Sequence, residues 1–302
     1  FVLNEQHDKA LEILVGALEQ HDDTVDVQLA LGTLFRRRGE LERATAVHQN
    51  LVARDGLESE YRAQALFELA QDYYKAGLLD RAAQLLLEVK GPHELEDSAN
   101  HLLLQIYDQE KEWDRALTVA NALESARSDI SLQGVIAQYF CEQAESAIGA
   151  GRYDDARSKI ASALSADPDC VRALIQSGRL DALANAHRSA IATWERVVGL
   201  HPEFLGEVIG LVEQSFSMLD DRAAHREFLQ RCLDLDHSNS RTLMAMIEFL
   251  VDYEGNEVAS SYLEKCFNAN PSLPALMRLI QFDPNADPRS TLAHPELIER
   301  IA

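Results

Sequence analysis

The residue types that most often carry out chemistry in proteins are scattered along this chain. Its ten histidines never lie four residues apart, the spacing that lets one helix face hold a metal ion. Asp167 and Asp169 flank Pro168, a pattern that favours a turn with capping carboxylates over an acid–base pair. The sequence contains no phosphate-binding glycine loop, nucleophile-elbow serine or zinc-protease motif. We therefore predict that the chain is not an enzyme and holds no metal or cofactor.

The cysteines and one histidine are better explained as packing residues. The four cysteines are widely spaced, and none forms a C-x-x-C pair. Cys141 and Cys266 lie at apolar phases of expected helices, so we predict small core residues in a reducing compartment. His48 takes a helix position that a large apolar residue normally fills, which favours a packed or capping histidine over a metal ligand.

A regular spacing of alanines indicates the elements that position these residues. The alanines are separated by 34, 38, 34, 40, 34, 34 and 35 residues, and they are Ala10, Ala44, Ala82, Ala116, Ala156, Ala190, Ala224 and Ala259. This period is typical of the tetratricopeptide repeat, in which helix B crosses helix A at a small residue. Gly39, Gly77 and Gly151 precede an alanine by five residues and separate the two helices. Such breaks exclude one long coiled coil.

The predicted fold class is all-α, a tetratricopeptide-repeat solenoid. We expect a right-handed superhelix of roughly eight to nine helix-turn-helix repeats. The phase is lengthened by six residues across 122–134, which suggests an N-terminal block over 1–125 and a C-terminal block over 126–272. Residues 273–302 are proline-rich and predict an irregular last repeat that leads to a C-terminal domain absent from this chain.

The charge balance restricts the partners. Lys and Arg total 28 against 50 Asp and Glu, a formal net charge of −22. This charge repels nucleic acid and anionic membrane surfaces, so neither is an expected partner. The sequence also lacks an apolar run of about 18 residues that could span a bilayer. A soluble scaffold for basic or neutral partners agrees with this composition, as does an acidic surface that serves solubility alone.

Function is expected on the concave face, which helix A lines. One predicted partner-binding patch comprises Arg36, Arg37, Tyr74, Lys75, His101 and Gln105. A second set lies further along the chain: Arg179, Glu213, Phe216 and Met244. The run 36–38 is the most basic spot, and it serves equally well to bind a partner or to stabilise the C-terminal end of helix A. A clamp for terminal carboxylates is disfavoured, because Leu29 and Thr33 stand where it needs Lys and Asn.

Several sequence blocks resemble the cytoplasmic repeat region of the lipopolysaccharide assembly protein B (LapB, or YciM) family. They are LGTLFRRRGELERATAVHQNL (31–51), LAQDYYKAGLLDRAAQLL (69–86), LLLQIYDQEKEWDRALTVANAL (102–123), IAQYFCEQAE (136–145) and REFLQRCL (226–233). The resemblance runs in order over nearly the whole chain. HQNL and YFCEQA are not part of the general repeat pattern, which makes the resemblance specific.

The resemblance implies a role beyond what the residues show. Members of this family are anchored at the inner membrane of Gram-negative bacteria by an N-terminal helix, with the repeats on the cytoplasmic face. They end in a rubredoxin-like domain that holds iron, and we expect this chain to be a fragment without either part. The family acts as an adaptor that presents the deacetylase LpxC to the membrane protease FtsH, and the membrane protein PbgA (YejM) opposes it. A generic tetratricopeptide cochaperone or envelope-assembly scaffold is the alternative, and a transferase with appended repeats would need a catalytic domain.

Overall fold

A computed structural model describes residues 24–126, 131–236 and 239–269. Fourteen α-helices and no strand occur in these ranges. The helices are α1 (Val25–Arg37), α2 (Leu41–Val52), α3 (Ser59–Lys75), α4 (Leu79–Glu88), α5 (His93–Glu110), α6 (Trp113–Ala126), α7 (Gln133–Gly149), α8 (Tyr153–Ala166), α9 (Val171–Leu183), α10 (His187–Leu200), α11 (Leu205–Leu219), α12 (Arg222–Leu235), α13 (Ser240–Tyr253) and α14 (Asn256–Ala269). A 3₁₀ turn, Pro202–Phe204, precedes α11. The predicted all-α class is confirmed.

The helices form successive hairpins, in which the odd-numbered helix is helix A and the even-numbered helix is helix B. The described residues contain seven such hairpins, from α1–α2 to α13–α14. The repeat fold predicted from the alanine spacing is thereby confirmed. The hairpin expected around Ala10 and the irregular end predicted at 273–302 lie outside the described residues.

In each hairpin, one residue of the turn has the left-handed backbone conformation, with a positive φ. In six of the seven, it lies two places before helix B. Gly39 takes this conformation with φ 80°, which costs glycine little because it has no Cβ. Lys111, Asn185 and Asp220 adopt it with φ of 58°, 59° and 51°. The hairpin geometry therefore dictates the conformation even where the sequence supplies no glycine.

The third residue after the start of helix B packs against helix A. Six of the predicted alanines are 0% exposed there, and they are Ala44, Ala82, Ala116, Ala156, Ala190 and Ala259. In α12 the prediction is wrong by one position, because Ala224 is partly exposed and His225 is buried. The interval from Ala190 to the next crossing residue, His225, is 35 residues rather than 34. The buried side chain is therefore determined by its distance from the start of the helix, Arg222.

The chain divides into two compact units, Phe1–Tyr139 and Phe140–Ala302. Their border falls inside α7. The block boundary predicted at 125 stays a prediction, since residues 127–130 next to it are not described. In the second unit a single apolar cluster extends from Leu174 in α9 to Ala259 in α14. Among the described helices, none has the length and apolar content needed to cross a bilayer.

Candidate partner-binding groove

A groove of about 410 Å³ lies between α1 and α3 in the first unit. It is lined by Asp26, Leu29, Ala30, Thr33, Leu34, Arg37, Gln64 and Glu68. A second recess of about 330 Å³, between α3 and α5, also includes Gln64 and is otherwise lined by Glu60, Pro92, Glu94, Leu95 and Ser98. We call the two together the N-terminal groove. Its α1 residues recur every three or four positions, as one face of a helix A requires.

Carboxylates dominate the charge of the N-terminal groove. Asp26 and Glu68 line the larger part, and Glu60 and Glu94 line the smaller part. Arg37 is the one cation among these lining residues. A partner segment that follows the groove therefore meets negative charge along most of it and positive charge at the C-terminal end of α1.

The predicted patch is only partly a feature of this groove. Arg37 is exposed and lines the larger part, whereas Lys75 is exposed at the C-terminal end of α3. Neither cation forms an ion pair with another described residue. Tyr74 is half-buried, and His101 and Gln105 are exposed on α5. These five side chains are accessible enough to contact a partner, and their role in binding stays a prediction.

Arg36, predicted as part of the partner-binding patch, is largely buried. Its side chain is 10% exposed, and its guanidinium donates to the Glu68 carboxylate at 2.5 Å and to Asp72 at 2.8 Å. It also donates to the Glu68 backbone carbonyl at 3.1 Å. Burial by itself lowers the pKa of Arg36, but these hydrogen bonds outweigh it and raise the pKa above its ordinary value. Arg36 is neutralised inside the unit and does not contribute to a basic docking surface.

Arg36 belongs to a larger set of polar residues, which we call the buried ion network: Arg36, His48, Glu68 and Asp72. His48 and Asp72 are both 0% exposed, and 2.6 Å separates His48 Nδ1 from Asp72 Oδ2. The other ring nitrogen, Nε2, lies 3.4 Å from the Leu29 carbonyl oxygen. The two ring nitrogens thus have one oxygen partner each, the Asp72 carboxyl and the Leu29 carbonyl. The packed role expected for His48 is confirmed.

The network joins three helices, and its His48–Asp72 pair is sealed from solvent. Arg36 comes from α1, His48 from α2, and Glu68 and Asp72 from α3. A histidine–carboxylate pair resembles part of a catalytic triad, but neither member of this pair reaches solvent. The network therefore has a structural role, which is to connect consecutive repeats.

Sequence reasoning did not single out Glu68 or Asp72. The available signal was the phase of the polar residues in adjacent helices. His48 and Asp72 stand where the repeat buries a side chain, and buried charges occur in proteins almost always as pairs. A search for compensating charges at buried phases could have found the network.

The residues of the second predicted set, further along the chain, differ in how far they are buried. Arg179 is exposed, and Met244 is partly buried. Glu213 is half-buried, and burial, with a smaller contribution from Glu248, raises the pKa of its carboxyl. Phe216 is only 5% exposed and stacks on His225 with 5.1 Å between the ring centroids. Phe216 is therefore a core residue, and its prediction as a groove residue is wrong, because the helix presents that phase to α12.

The described residues do not fit the iron site that the family resemblance implies for a further domain. A rubredoxin-like site needs four cysteine thiolates. The sulfur atoms of Cys141 and Cys170 lie 3.9 Å apart. The part of the chain that the structure describes has no cluster of three or more His, Cys, Asp or Glu placed to bind a metal.

Comparisons with known proteins agree with the repeat architecture. The family model described as tetratricopeptide repeat matches residues 141–203. Lipopolysaccharide assembly protein B of Escherichia coli K12 is 29% identical over 285 residues, which cover 94% of this chain and 73% of that protein. The protein of the same name from Haemophilus influenzae is 28% identical over 293 residues, covering 93% of this chain and 72% of that protein. The resemblance read from the sequence blocks is confirmed.

A solved structure shares the fold at greater distance. A Naa15/Naa10 complex bound to HypK-THB contains a chain that superposes with a TM-score of 0.58 at 15% identity. The match covers 96% of this chain and 44% of that one. At this identity, the likeness supports the helical-repeat fold alone.

Proposed function

We propose that this chain, a tetratricopeptide-repeat protein related to lipopolysaccharide assembly protein B, is a non-catalytic adaptor in lipopolysaccharide assembly. The similarity extends over 94% of the chain, so it includes the groove-bearing repeats as well as the general repeat pattern. Non-catalytic action agrees with the buried state of the histidine–aspartate pair, which no substrate can reach.

The observation that carries the proposal is the N-terminal groove. It is open to solvent on the helix A face, and it combines apolar, polar and charged lining residues. Such a surface suits an extended protein segment, because backbone and side-chain groups of both polarities find complements in it. Arg37 and Lys75 favour an acidic group at one end of that segment, whereas Glu60 and Glu94 favour a basic or neutral remainder.

The finer proposal names the partners that the family resemblance implies. The client is the deacetylase LpxC, which the adaptor presents to the protease FtsH, and PbgA (YejM) opposes this delivery. The repeats act at the cytoplasmic face of the inner membrane in this proposal. The net charge of −22 suits this location only if contact with the anionic lipid surface is made by other parts of the assembly.

A charge-reversal experiment tests the groove. Arg37→Glu with Lys75→Glu should weaken capture of purified LpxC or FtsH by about tenfold or more, since two attractive contacts become repulsive. Lys90→Glu with Lys265→Glu is the matched control, because both residues are exposed and the change in net charge is identical. Binding by calorimetry gives the readout, and circular dichroism checks the fold. Equal binding by both double variants would remove the groove from the proposal.

A cochaperone that captures terminal carboxylates is the second candidate, and the site geometry argues against it. Leu29 is 5% exposed, and the Thr33 hydroxyl donates to the Glu68 carboxylate at 3.1 Å. That carboxylate also repels a second anion in the larger part of the groove. A peptide with a free C-terminal carboxylate should therefore bind no better than its amidated form. A clear preference for the free acid would favour the cochaperone.

A further inference from the structure

Two cysteines from different helices meet in the second unit. Cys141 lies within α7, and Cys170 is the residue directly before α9. Their sulfur atoms are 3.9 Å apart, although 29 positions separate them in the sequence. A disulfide needs a sulfur–sulfur distance of roughly 2.05 Å, so side-chain adjustment must bring the sulfurs about 2 Å closer.

The surroundings of Cys170 suit a nucleophile. Cys170 is half-buried, which leaves its sulfur within reach of a small reagent. It is the N-cap residue of α9, and its side chain makes no capping hydrogen bond, but the backbone N–H groups of Arg172 and Ala173 are near enough to favour the thiolate. The hydrogen bond from the Cys141 thiol, followed by those N–H groups, lowers the pKa of Cys170 to about 6, against the opposing effects of burial and Asp167.

The surroundings of Cys141 suit a resolving thiol. Cys141 is 0% exposed, so an external reagent reaches Cys170 first. Its hydrogen bond to Cys170 and its burial raise the pKa of Cys141, which keeps the proton on this sulfur while Cys170 is the thiolate. Once Cys170 is bonded to another sulfur, its contribution to the raised pKa disappears, and the nearby Arg172 opposes the effect of burial that remains.

Polar contacts hold the two cysteines in place. Arg172 in α9 donates to Glu142 in α7 at 2.5 Å. The Gln176 side-chain amide donates to the Cys141 carbonyl oxygen at 3.1 Å and to Glu145 at 2.8 Å. These contacts fix α7 and α9 together next to the sulfur pair, so the thiols stay in register.

We propose that Cys141 and Cys170 form a reversible redox modification site, in which a small disulfide such as oxidised glutathione converts the two thiols to an intramolecular disulfide. The Cys170 thiolate attacks one glutathione sulfur, forms a mixed disulfide and releases one glutathione thiolate, which takes up a proton. The Cys141 thiol then loses its proton, and the resulting thiolate attacks Cys170 Sγ and releases the second glutathione as a thiolate, which takes up a proton. Two protein thiols are oxidised and one glutathione disulfide is reduced. The product ties the A helices of consecutive repeats together.

The site is a dithiol under reducing conditions, in agreement with the reducing compartment expected from the cysteine spacing. The partial exposure of Cys170 lets a reductant attack the bond from the same side, which makes the modification reversible. The oxidised form would limit the relative movement of α7 and α9, because the crosslink adds a covalent constraint to the polar contacts.

Titration of the purified chain with oxidised and reduced glutathione tests this site. Remaining thiols are blocked with N-ethylmaleimide, and intact mass with peptide mapping identifies the product. We expect two of the four thiols to be lost in one crosslink between Cys141 and Cys170, and dithiothreitol to restore both. Cys141→Ser should instead trap a glutathione adduct on Cys170, and Cys170→Ser should give neither adduct nor crosslink.

Cys232→Ser is the matched control, since burial raises the pKa of Cys232 to about 12 and the crosslink should form as in the unchanged protein. Limited iodoacetamide labelling of the unchanged protein provides a test without substitutions, and Cys170 should react at least about tenfold faster than Cys141. A crosslink that involves Cys232 or Cys266, a stable glutathione adduct on Cys170 in the unchanged protein, or equal labelling rates would each overturn the proposal.

Discussion

The first and fifth described hairpins, α1–α2 and α9–α10, solve one packing problem with side chains of opposite character. In each, an aromatic ring from helix B lies against a glycine of helix A. The ring belongs to His48 in the first hairpin and to Trp194 in the second, and the glycines are Gly32 and Gly178. A Cβ at either glycine would lie 2.3 Å from a ring nitrogen. The repeat backbone thus provides the same slot to a polar and to an apolar ring.

The two rings differ in how many polar atoms they bring into the interior. Trp194 has one, and its indole N–H donates to the Ile175 carbonyl oxygen at 3.2 Å. In the first hairpin, the equivalent carbonyl belongs to Leu29 and faces His48 Nε2. His48 has a second ring nitrogen, which needs a second partner, and Asp72 supplies it. A buried polar atom without a partner is costly, so each added polar group requires another.

The positions around the two rings follow this difference. The residues equivalent to Arg36, Glu68 and Asp72 around Trp194 are Ala182, Leu211 and Ser215. Ala182 and Leu211 pack against the apolar cluster of the second unit, and the Ser215 hydroxyl lies 3.3 Å from His187 Nδ1. In these two hairpins, the polar ring is accompanied by a matched set of charges, whereas the apolar ring is accompanied by packing residues.

Asp72→Asn should break the polar side of the comparison with the largest effect. The substitution leaves the Arg36 guanidinium and the His48 ring without their shared carboxylate, and removal of one partner from a buried ion pair costs about 3–5 kcal/mol. Urea unfolding with hydrogen exchange in α1–α3 measures the loss. Ser215→Ala at the equivalent position should cost only about 1 kcal/mol. Similar losses in both variants would show that the network contributes no more than an ordinary hydrogen bond.

Conversion of the polar set into the apolar set should restore stability. His48→Trp alone should destabilise the first unit, because Asp72 loses a partner. The fourfold variant is His48→Trp, Arg36→Ala, Glu68→Leu and Asp72→Ser. Its free energy of unfolding should be equal to that of the unchanged protein or higher by up to about 1–4 kcal/mol, since packed apolar groups often replace buried ion pairs without loss. Urea midpoints of both variants give the answer. If the fourfold variant were less stable than the single one, the two slots would not be equivalent.

Substitution of the slot glycine tests the feature that the hairpins share. Gly178→Ala should cost about 1–3 kcal/mol, because the added methyl group overlaps the Trp194 ring. Gly210→Ala in α11 is the control, since its Cβ would meet no atom within 4 Å. Alanine favours a helix more than glycine, so the control should gain up to about 1 kcal/mol. Thermal unfolding distinguishes the two signs, and a stabilised Gly178→Ala would refute the slot.

A third ring, His225, extends the comparison to a polar ring without a charged partner. It lies between Phe216 and Phe249, its Nε2 is buried with no hydrogen-bond partner among the described residues, and burial lowers its pKa from 6.5 to about 4. The unfolded chain therefore binds the proton first as the pH falls. The stability that His225 contributes is complete above pH 6.5 and is lost as the pH falls toward 4.

The expected loss is about 1–2 kcal/mol at pH 5 relative to pH 7.5. Unfolding at both pH values measures it, and His225→Phe should remove this part of the pH dependence. His101→Gln, which changes an exposed histidine, should leave it intact. A His225→Phe variant with an unchanged pH profile would assign the effect to other groups.

Much of the fold could be predicted from the sequence, because repeat packing leaves a local and periodic signature. A crossing alanine, a turn glycine and the 34-residue interval are each visible without the structure. The exceptions share one cause. In α12 the buried residue is His225, one position after the predicted Ala224, and the turn before α6 has Lys111 in place of glycine. In both cases packing fixes which position is buried or turned, whereas the residue type at that position can vary.

The candidate site was less predictable, since its properties depend on residues far apart in the chain. Helix phase was sufficient to bring Arg37 and Lys75 to the exposed helix A face. Phase did not reveal that Arg36, one position away, is neutralised by two carboxylates more than thirty residues later. The same holds for Phe216, whose burial depends on its stacking with His225.

The sequence by itself determined the helical class, the hairpin order and the net charge, because period and composition act locally or as sums over the chain. Only the tertiary structure decided which charges remain accessible and which thiols meet. Arg36 and Arg37 are neighbours of the same type, yet one is buried among acids and the other lines a groove. Cys141 and Cys170 come together only when α7 packs beside the start of α9. Desolvation and contact arise from residues that the chain brings together in space, and spacing along the sequence does not encode them directly.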